Sequence, residues 1–181
     1  MDMAVVVAVV GPKDSYKTRV IELLIQRLTS LGLKVAAAKH VHHVETIDRP
    51  GKDTWRYAKA GASLVVAVSE SEVALIRRGV KAGLKEVLNI VEGEVDVVLI
   101  EGFKSEVLED EHIIKVLAAS KVEDLRELLA KAKPPVVGIA GPVVQGLTNL
   151  EGLALIDVDR GEIDEVVEAI KKALRAKGAV K

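Results

Sequence analysis

The sequence predicts an α/β fold in which a mostly parallel sheet carries helices on both faces. Three observations lead there. Met3–Val10 (MAVVVAVV) is too short to span a membrane and too β-branched for a comfortable helix, so it reads as a strand buried on both faces. Further short apolar runs alternate along the chain with segments of helical periodicity. One of them, Val95–Ile100 (VDVVLI), leads directly into Glu101-Gly102. The chain has 181 residues, enough for a substantial core, and shows no linker, internal repeat or low-complexity segment. One domain spanning residues 1–181 is therefore expected.

Taken in order, the first strand is followed by a loop, Gly11–Thr18 (GPKDSYKT), and then by a helix. Val20, Leu23, Leu24, Leu28 and Leu31 form that helix's apolar side, and Gly32 stops it. Lys34–Lys39 (KVAAAK) reads as a second strand. His40–Asp53 is polar, and its Pro50-Gly51 pair marks a loop. Asp53-Thr54 can cap a short helix, TWRYAKA, ended by Gly61. Ser63–Ser69 (SLVVAVS) reads as a third strand and Val73–Arg78 (VALIRR) as an antiparallel or edge strand. Val80–Val91 has helical spacing. After the VDVVLI strand, His112–Leu117 reads as a strand and Val122–Ala132 as a helix. Pro134-Pro135 breaks the chain before the buried strand VVGIAG. Leu153–Val158 is a last short strand, and Ile163–Ala176 an amphipathic helix.

The first strand, loop and helix together follow the P-loop pattern G-x-x-x-x-G-K-[ST] with one departure. In such a loop the backbone N–H groups and the positive end of the helix dipole cradle a phosphate. Gly11, Pro12, Lys13, Asp14, Ser15, Tyr16, Lys17 and Thr18 make up the candidate phosphate site. Lys17 is placed to reach the β and γ phosphates, and Thr18 to put its hydroxyl on a magnesium ion. The departure is Tyr16, which stands where the pattern has its second Gly. A left-handed backbone there costs a non-glycine residue about 1–2 kcal/mol, so Tyr16 bears on both loop geometry and affinity.

Glu101 sits at the C-terminal end of a buried strand, the same end as the loop, where an acid holds magnesium directly or through water. Asp96, at the other end, reads as a start-of-strand residue. His40, His42 and His43 form a further cluster. In an extended segment His40 and His42 share a side, which suits a divalent metal, while phosphate or substrate contact and simple solvation are the competing readings. Asp48 and Asp53 either approach the magnesium shell through water or serve as a turn residue and a helix cap. Trp55 reads as a packing anchor, with base stacking the alternative. The segment Asn-Lys-x-Asp does not occur, so the residues do not fix the choice of base.

Composition narrows the class. A formal net charge of −1 argues against a general nucleic-acid or membrane-surface binder. With no Cys, disulfides and thiolate metal sites are excluded. No apolar stretch approaches the roughly 20 residues of a membrane helix. The N-terminus lacks the basic region of a signal peptide, and a cytoplasmic location is expected.

Three segments, GPKDSYKT with its strand, KHVHHVETIDRPGKDTWRYAKAGAS and VDVVLIEGFKSE, together resemble the MobB family of molybdopterin-guanine dinucleotide biosynthesis adaptors. The resemblance covers about the first two thirds of the chain; from Asp110 onward only the α/β pattern speaks. It implies a P-loop fold of the class that includes dethiobiotin synthetase and the nickel-insertion GTPases. It also implies GTP and Mg2+ as ligands, at most slow hydrolysis, and a homodimer. The implied partner is the molybdenum cofactor guanylyltransferase that attaches GMP to molybdopterin, with GTP or molybdopterin held at a shared interface. Carried onto this chain, Gly11–Thr18 hold the phosphates, Thr18 and Glu101 the magnesium, and Lys39, His40, His42, His43 and Asp53 line the site. Two other functions compete: a dethiobiotin-synthetase-like ATP-dependent enzyme and a metallochaperone GTPase.

Overall fold

The computed structural model describes residues 4–41, 46–80, 82–147, 150 and 152–178. Its elements, in chain order, are β1 (Val5–Val10), α1 (Lys17–Ser30), β2 (Val35–Lys39), α2 (Asp53–Lys59), β3 (Leu64–Val68), β4 (Val73–Arg77) and α3 (Leu84–Val91). They continue with β5 (Val97–Glu101), α4 (Lys104–Val107), β6 (Ile114–Ala118), α5 (Val122–Lys131), β7 (Val136–Ala140), β8 (Ala154–Ile156) and α6 (Asp164–Ala176). The chain groups into two compact units, residues 41–83 and the remainder on either side of them.

In the larger unit six strands form one sheet in the order β2-β5-β1-β6-β7-β8, every pair parallel. β1 lies inside this sheet, and its Val-rich sequence follows from that position. Val5, Val7 and Val9 pack on one face with Val20, Leu24 and Leu28 of α1 and Val166, Ile170 and Leu174 of α6. Ala8 and Val10 pack on the other with Leu84 of α3, Val107 of α4, and Leu125 and Leu128 of α5. With helices on both sides, every side chain of the strand but the partly exposed Val6 is buried, and an unbroken apolar run results. Asp96 ties the strand beginnings together: its carboxylate accepts the Lys34 N–H at 2.7 Å and its carbonyl the Val5 N–H at 2.9 Å. That is the start-of-strand role expected for it. At the same end of β6 the buried Lys115 donates to the carbonyls of Asp110 and Ile113. These bonds satisfy a desolvated ammonium, whose pKa burial lowers, against the opposing pull of Asp110 and Glu111.

Three helical features differ from the sequence reading. The helix expected from Val80 begins only at Leu84, whose N–H donates to the Glu106 carboxylate at 3.0 Å. A carboxylate from a distant segment thus takes one of the orphan donors at a helix start. The short helix α4 is unforeseen, as is the 3-10 turn Pro142–Gly146.

In the smaller unit β3 and β4 form an antiparallel hairpin, a sheet of their own with Leu64 opposite Arg77 and Val68 opposite Val73. The run SLVVAVS is a strand as expected, but not one of the parallel sheet. The chain reverses at Ser69–Glu72, where the Ser69 N–H meets the Glu72 carbonyl at 2.9 Å, and a parallel crossover needs a dozen residues or more. Leu64, Val66, Val68, Val73 and Leu75 lie on one face of the hairpin, all exposed. Val65, on the other, is buried. The preceding loop is held by Asp48, whose carboxylate accepts Thr54 Oγ1 at 3.0 Å and the Arg49 N–H at 2.8 Å. Its second oxygen is 3.6 Å from Arg78 Nη2. No helix among the described residues is long and apolar enough to cross a membrane.

Candidate functional site

The loop between β1 and α1 is closed by its own side chains and backed by two neighbouring strand ends. Ser15 is fully buried and its hydroxyl donates to the Pro12 carbonyl at 2.8 Å. The Lys17 ammonium donates to the same carbonyl, folding back across the loop. Behind the loop, the Ser120 hydroxyl donates to the Asp14 carbonyl at 2.8 Å. Two glycines permit this backbone-to-backbone packing. A Cβ on Gly11 would lie 1.9 Å from the Ala118 carbonyl oxygen. On Gly141 (φ +94°) it would lie 2.4 Å from the Ala119 carbonyl oxygen and 2.9 Å from that of Ser15.

Tyr16 sits at φ 65°, ψ 17°, the left-handed conformation for which glycine is the usual residue. The departure in sequence is therefore no departure in backbone. Its carbonyl accepts the Val20 N–H at 3.0 Å and so begins α1, while its side chain is exposed. Asp14, also exposed, is left-handed at φ 59°. Lys13 is exposed at the loop tip.

Opposite the start of α1 stands Glu101, the last residue of β5. The Thr18 hydroxyl donates to its Oε2 at 2.8 Å. Lys39, the register partner of Glu101 on β2, places Nζ 3.0 Å from Oε1 and 3.5 Å from the Thr18 hydroxyl oxygen. Burial holds the Lys17 amine below the usual lysine range. The Glu101 carboxylate opposes that shift, Lys39 adds to it, and Asp14 opposes it. With Lys13 at the loop tip, three lysines outnumber the two acids Asp14 and Glu101, a balance that suits phosphate oxygens. The Thr18 hydroxyl and Glu101 carboxylate are hard oxygen donors of the kind magnesium takes, one or two from protein with phosphate and water completing the shell. The residues present fit that ion.

His40 extends the strand pairing, its N–H meeting the Glu101 carbonyl at 2.9 Å. Its ring stacks on Phe103 with centroids 4.7 Å apart and planes at 20°. Phe103 reaches it through two successive left-handed residues, Gly102 at φ 98° and Phe103 itself at φ 53°. A Cβ on Gly102 would come within 2.9 Å of the His40 Cβ.

The structure thus brings together Gly11–Thr18, Lys39, His40 and Glu101. His42 and His43 lie outside the described residues. Asp53 belongs to the smaller unit, where it begins α2 and pairs with Arg56 at 3.4 Å. The helix cap expected there is not formed: Lys52 holds the N-cap position with no side-chain hydrogen bond. Trp55, in the same helix, lies under the Lys59 ammonium, which is 5.5 Å from the ring centroid. Among the described residues no group of three or more His, Asp or Glu side chains suits a metal ion. Ser120, Phe103 and Gly141 were not foreseen, since nothing in their local sequence marks them.

With this geometry in hand, comparisons with known proteins are informative. A family model described as molybdopterin guanine dinucleotide synthesis protein B, MobB, matches residues 6–139. The molybdopterin-guanine dinucleotide biosynthesis adapter protein of Escherichia coli K12 is 29% identical over 162 residues, covering 86% of this chain and 87% of that protein. A probable adapter protein of the same description from Bacillus subtilis is 31% identical over 158 residues, with 85% and 86% covered. The Haemophilus influenzae counterpart matches over 100 residues at 34% identity, 54% of this chain and just 56% of the relative's length. In three dimensions the chain superposes on the crystal structure of Bacillus subtilis MobB with TM-score 0.69 and 28% identity, covering 91% of this chain and 96% of that one.

Proposed function

Because this chain belongs to the MobB family, we propose that it is a GTP- and magnesium-binding adaptor in molybdenum cofactor biosynthesis. In this role it assists the guanylyltransferase that joins GMP to molybdopterin, by presenting GTP or molybdopterin to that partner. The names of the relatives supply the pathway. Support for the nucleotide comes from one arrangement, the closed loop Gly11–Thr18 with Thr18 hydrogen-bonded to Glu101 at the end of the adjacent strand.

On this reading the loop amides and the start of α1 bind the β and γ phosphates. Lys17 leaves the Pro12 carbonyl for a phosphate oxygen, an exchange that its partial burial favours by strengthening the new ion pair. Thr18 and Glu101 hold the magnesium, which neutralises phosphate charge. The glycine pair Gly11 and Gly141 keeps the loop seated on the ends of β6 and β7. Hydrolysis is slow at most, and the chain is a carrier before it is a catalyst. Cytoplasmic location and a homodimer complete the proposal, the second copy covering the exposed apolar face of the β3–β4 hairpin.

Titration calorimetry with GTP and with ATP, each with magnesium, tests the reading. Saturable GTP binding is expected, weaker for ATP, with a loss of about 100-fold or more in Lys17→Ala, which removes a charged phosphate contact. A preference for ATP would instead favour a ligase of the dethiobiotin-synthetase kind. A folded protein that binds neither nucleotide would overturn the proposal.

A further inference from the structure

We infer that Lys39 is a placeholder cation: its ammonium pre-positions Glu101 and Thr18, and a divalent ion bound by those two residues must expel it. The inference rests on Gly11–Thr18 and Glu101 forming a magnesium-nucleotide site, and adds to it a residue that competes with the metal.

Three observations carry it. The first is register. Lys39 and Glu101 are direct partners on the parallel strands β2 and β5, so pairing alone sets the two side chains side by side. The second is the shared target. Lys39 Nζ lies 3.0 Å from one Glu101 oxygen and 3.5 Å from the Thr18 hydroxyl oxygen, while that hydroxyl donates to the other Glu101 oxygen at 2.8 Å. One Glu101 oxygen and the Thr18 hydroxyl oxygen, both of which a metal would use, thus face an ammonium. A divalent ion and a fixed ammonium about 3 Å away repel strongly, so the two do not share this carboxylate.

The third is the difference in freedom between the partners. The Glu101 side chain is 12% exposed and the Lys39 side chain 57%. Glu101 is held by its strand, by the His40 N–H on its carbonyl, and by the left-handed Gly102-Phe103 corner behind it. Lys39 has a four-carbon stem reaching from an edge strand toward solvent. When the two are separated, Lys39 moves and Glu101 stays. The carboxylate is therefore held in orientation by a group that is cheap to displace.

The test is a Mn2+ titration of the full chain saturated with GTP, read by electron paramagnetic resonance, in the wild type, Lys39→Met and Lys121→Met. Lys39→Met is expected to tighten Mn2+ binding by about tenfold, the size of a direct competitor's removal. Lys121→Met removes an exposed charge of the same sign outside the loop and is expected to change it by less than about threefold, as for charges that act only through screened solvent. Unchanged or weaker Mn2+ binding in Lys39→Met would overturn the inference, as would equal tightening in both variants. GTP binding that survives in the wild type and fails in Lys17→Ala keeps the nucleotide site standing in either case. A wild type that does not hold GTP would overturn both.

Discussion

Tyr16 is the residue on which sequence and structure bear most directly. An aromatic side chain in the left-handed region is sterically costly, and here the phosphate-loop geometry is kept in spite of it. Replacing it with glycine removes about 1–2 kcal/mol of backbone strain and adds about 0.5–1 kcal/mol of chain entropy cost. Tyr16→Gly is therefore expected to stabilise the protein by about 0.5–1 kcal/mol in urea unfolding. A loss of stability would mean that the exposed ring makes a contribution larger than the strain. Lys17, Thr18 and Glu101 were legible because each sits at a fixed offset from a strongly patterned element. Phe103 and Ser120 were not, since each acts through a group far along the chain: the His40 ring for one and the Asp14 carbonyl for the other. Local sequence holds no record of such pairings.

Among the elements, the β3–β4 hairpin has the antiparallel pairing expected of Val73–Arg78 but forms a sheet of its own, outside the parallel one. Its apolar run has no polar alternation because its exposed face is also apolar, so period-2 patterning looks like burial on both faces. An exposed stripe of Leu64, Val66, Val68, Val73 and Leu75 is the kind of surface that marks an interaction site. If a second copy covers it, Val66→Lys places a charge at the centre of the buried patch. Light scattering after size exclusion is then expected to show the wild type as a dimer and Val66→Lys at half its mass, with unchanged circular dichroism. A wild-type monomer would remove the homodimer from the proposal. β1, α1 and β5, in contrast, were legible to within about two residues at their ends. They are strongly apolar on the sides that matter, and bounded by Gly, Asp or Glu. The four residues of α4 were too few for any period to register.

At the scale of the molecule, alternating strands and helices were enough to give a parallel sheet with two covered faces. The strand order was beyond reach, because periodicity says which face of a strand is buried and nothing about its neighbour. That order has a consequence in time as well as in space. β1 pairs with β5 and β6, and β2 pairs with β5, so the first two strands of the larger unit are not partners of each other. A chain made from its N-terminus has synthesised both of them, the first helix and the whole hairpin unit before either strand finds an edge to join. A fragment of residues 1–96 is expected to lack protected amides in β1 and β2 by hydrogen exchange, and one of residues 1–120 to gain them in both; protection already present in the shorter fragment would refute this. Until β5 leaves the ribosome, the valine run that later becomes part of the dry core is an unpaired, sticky strand. The nascent chain is most exposed to aggregation, and most dependent on chaperones, over that first half of its synthesis.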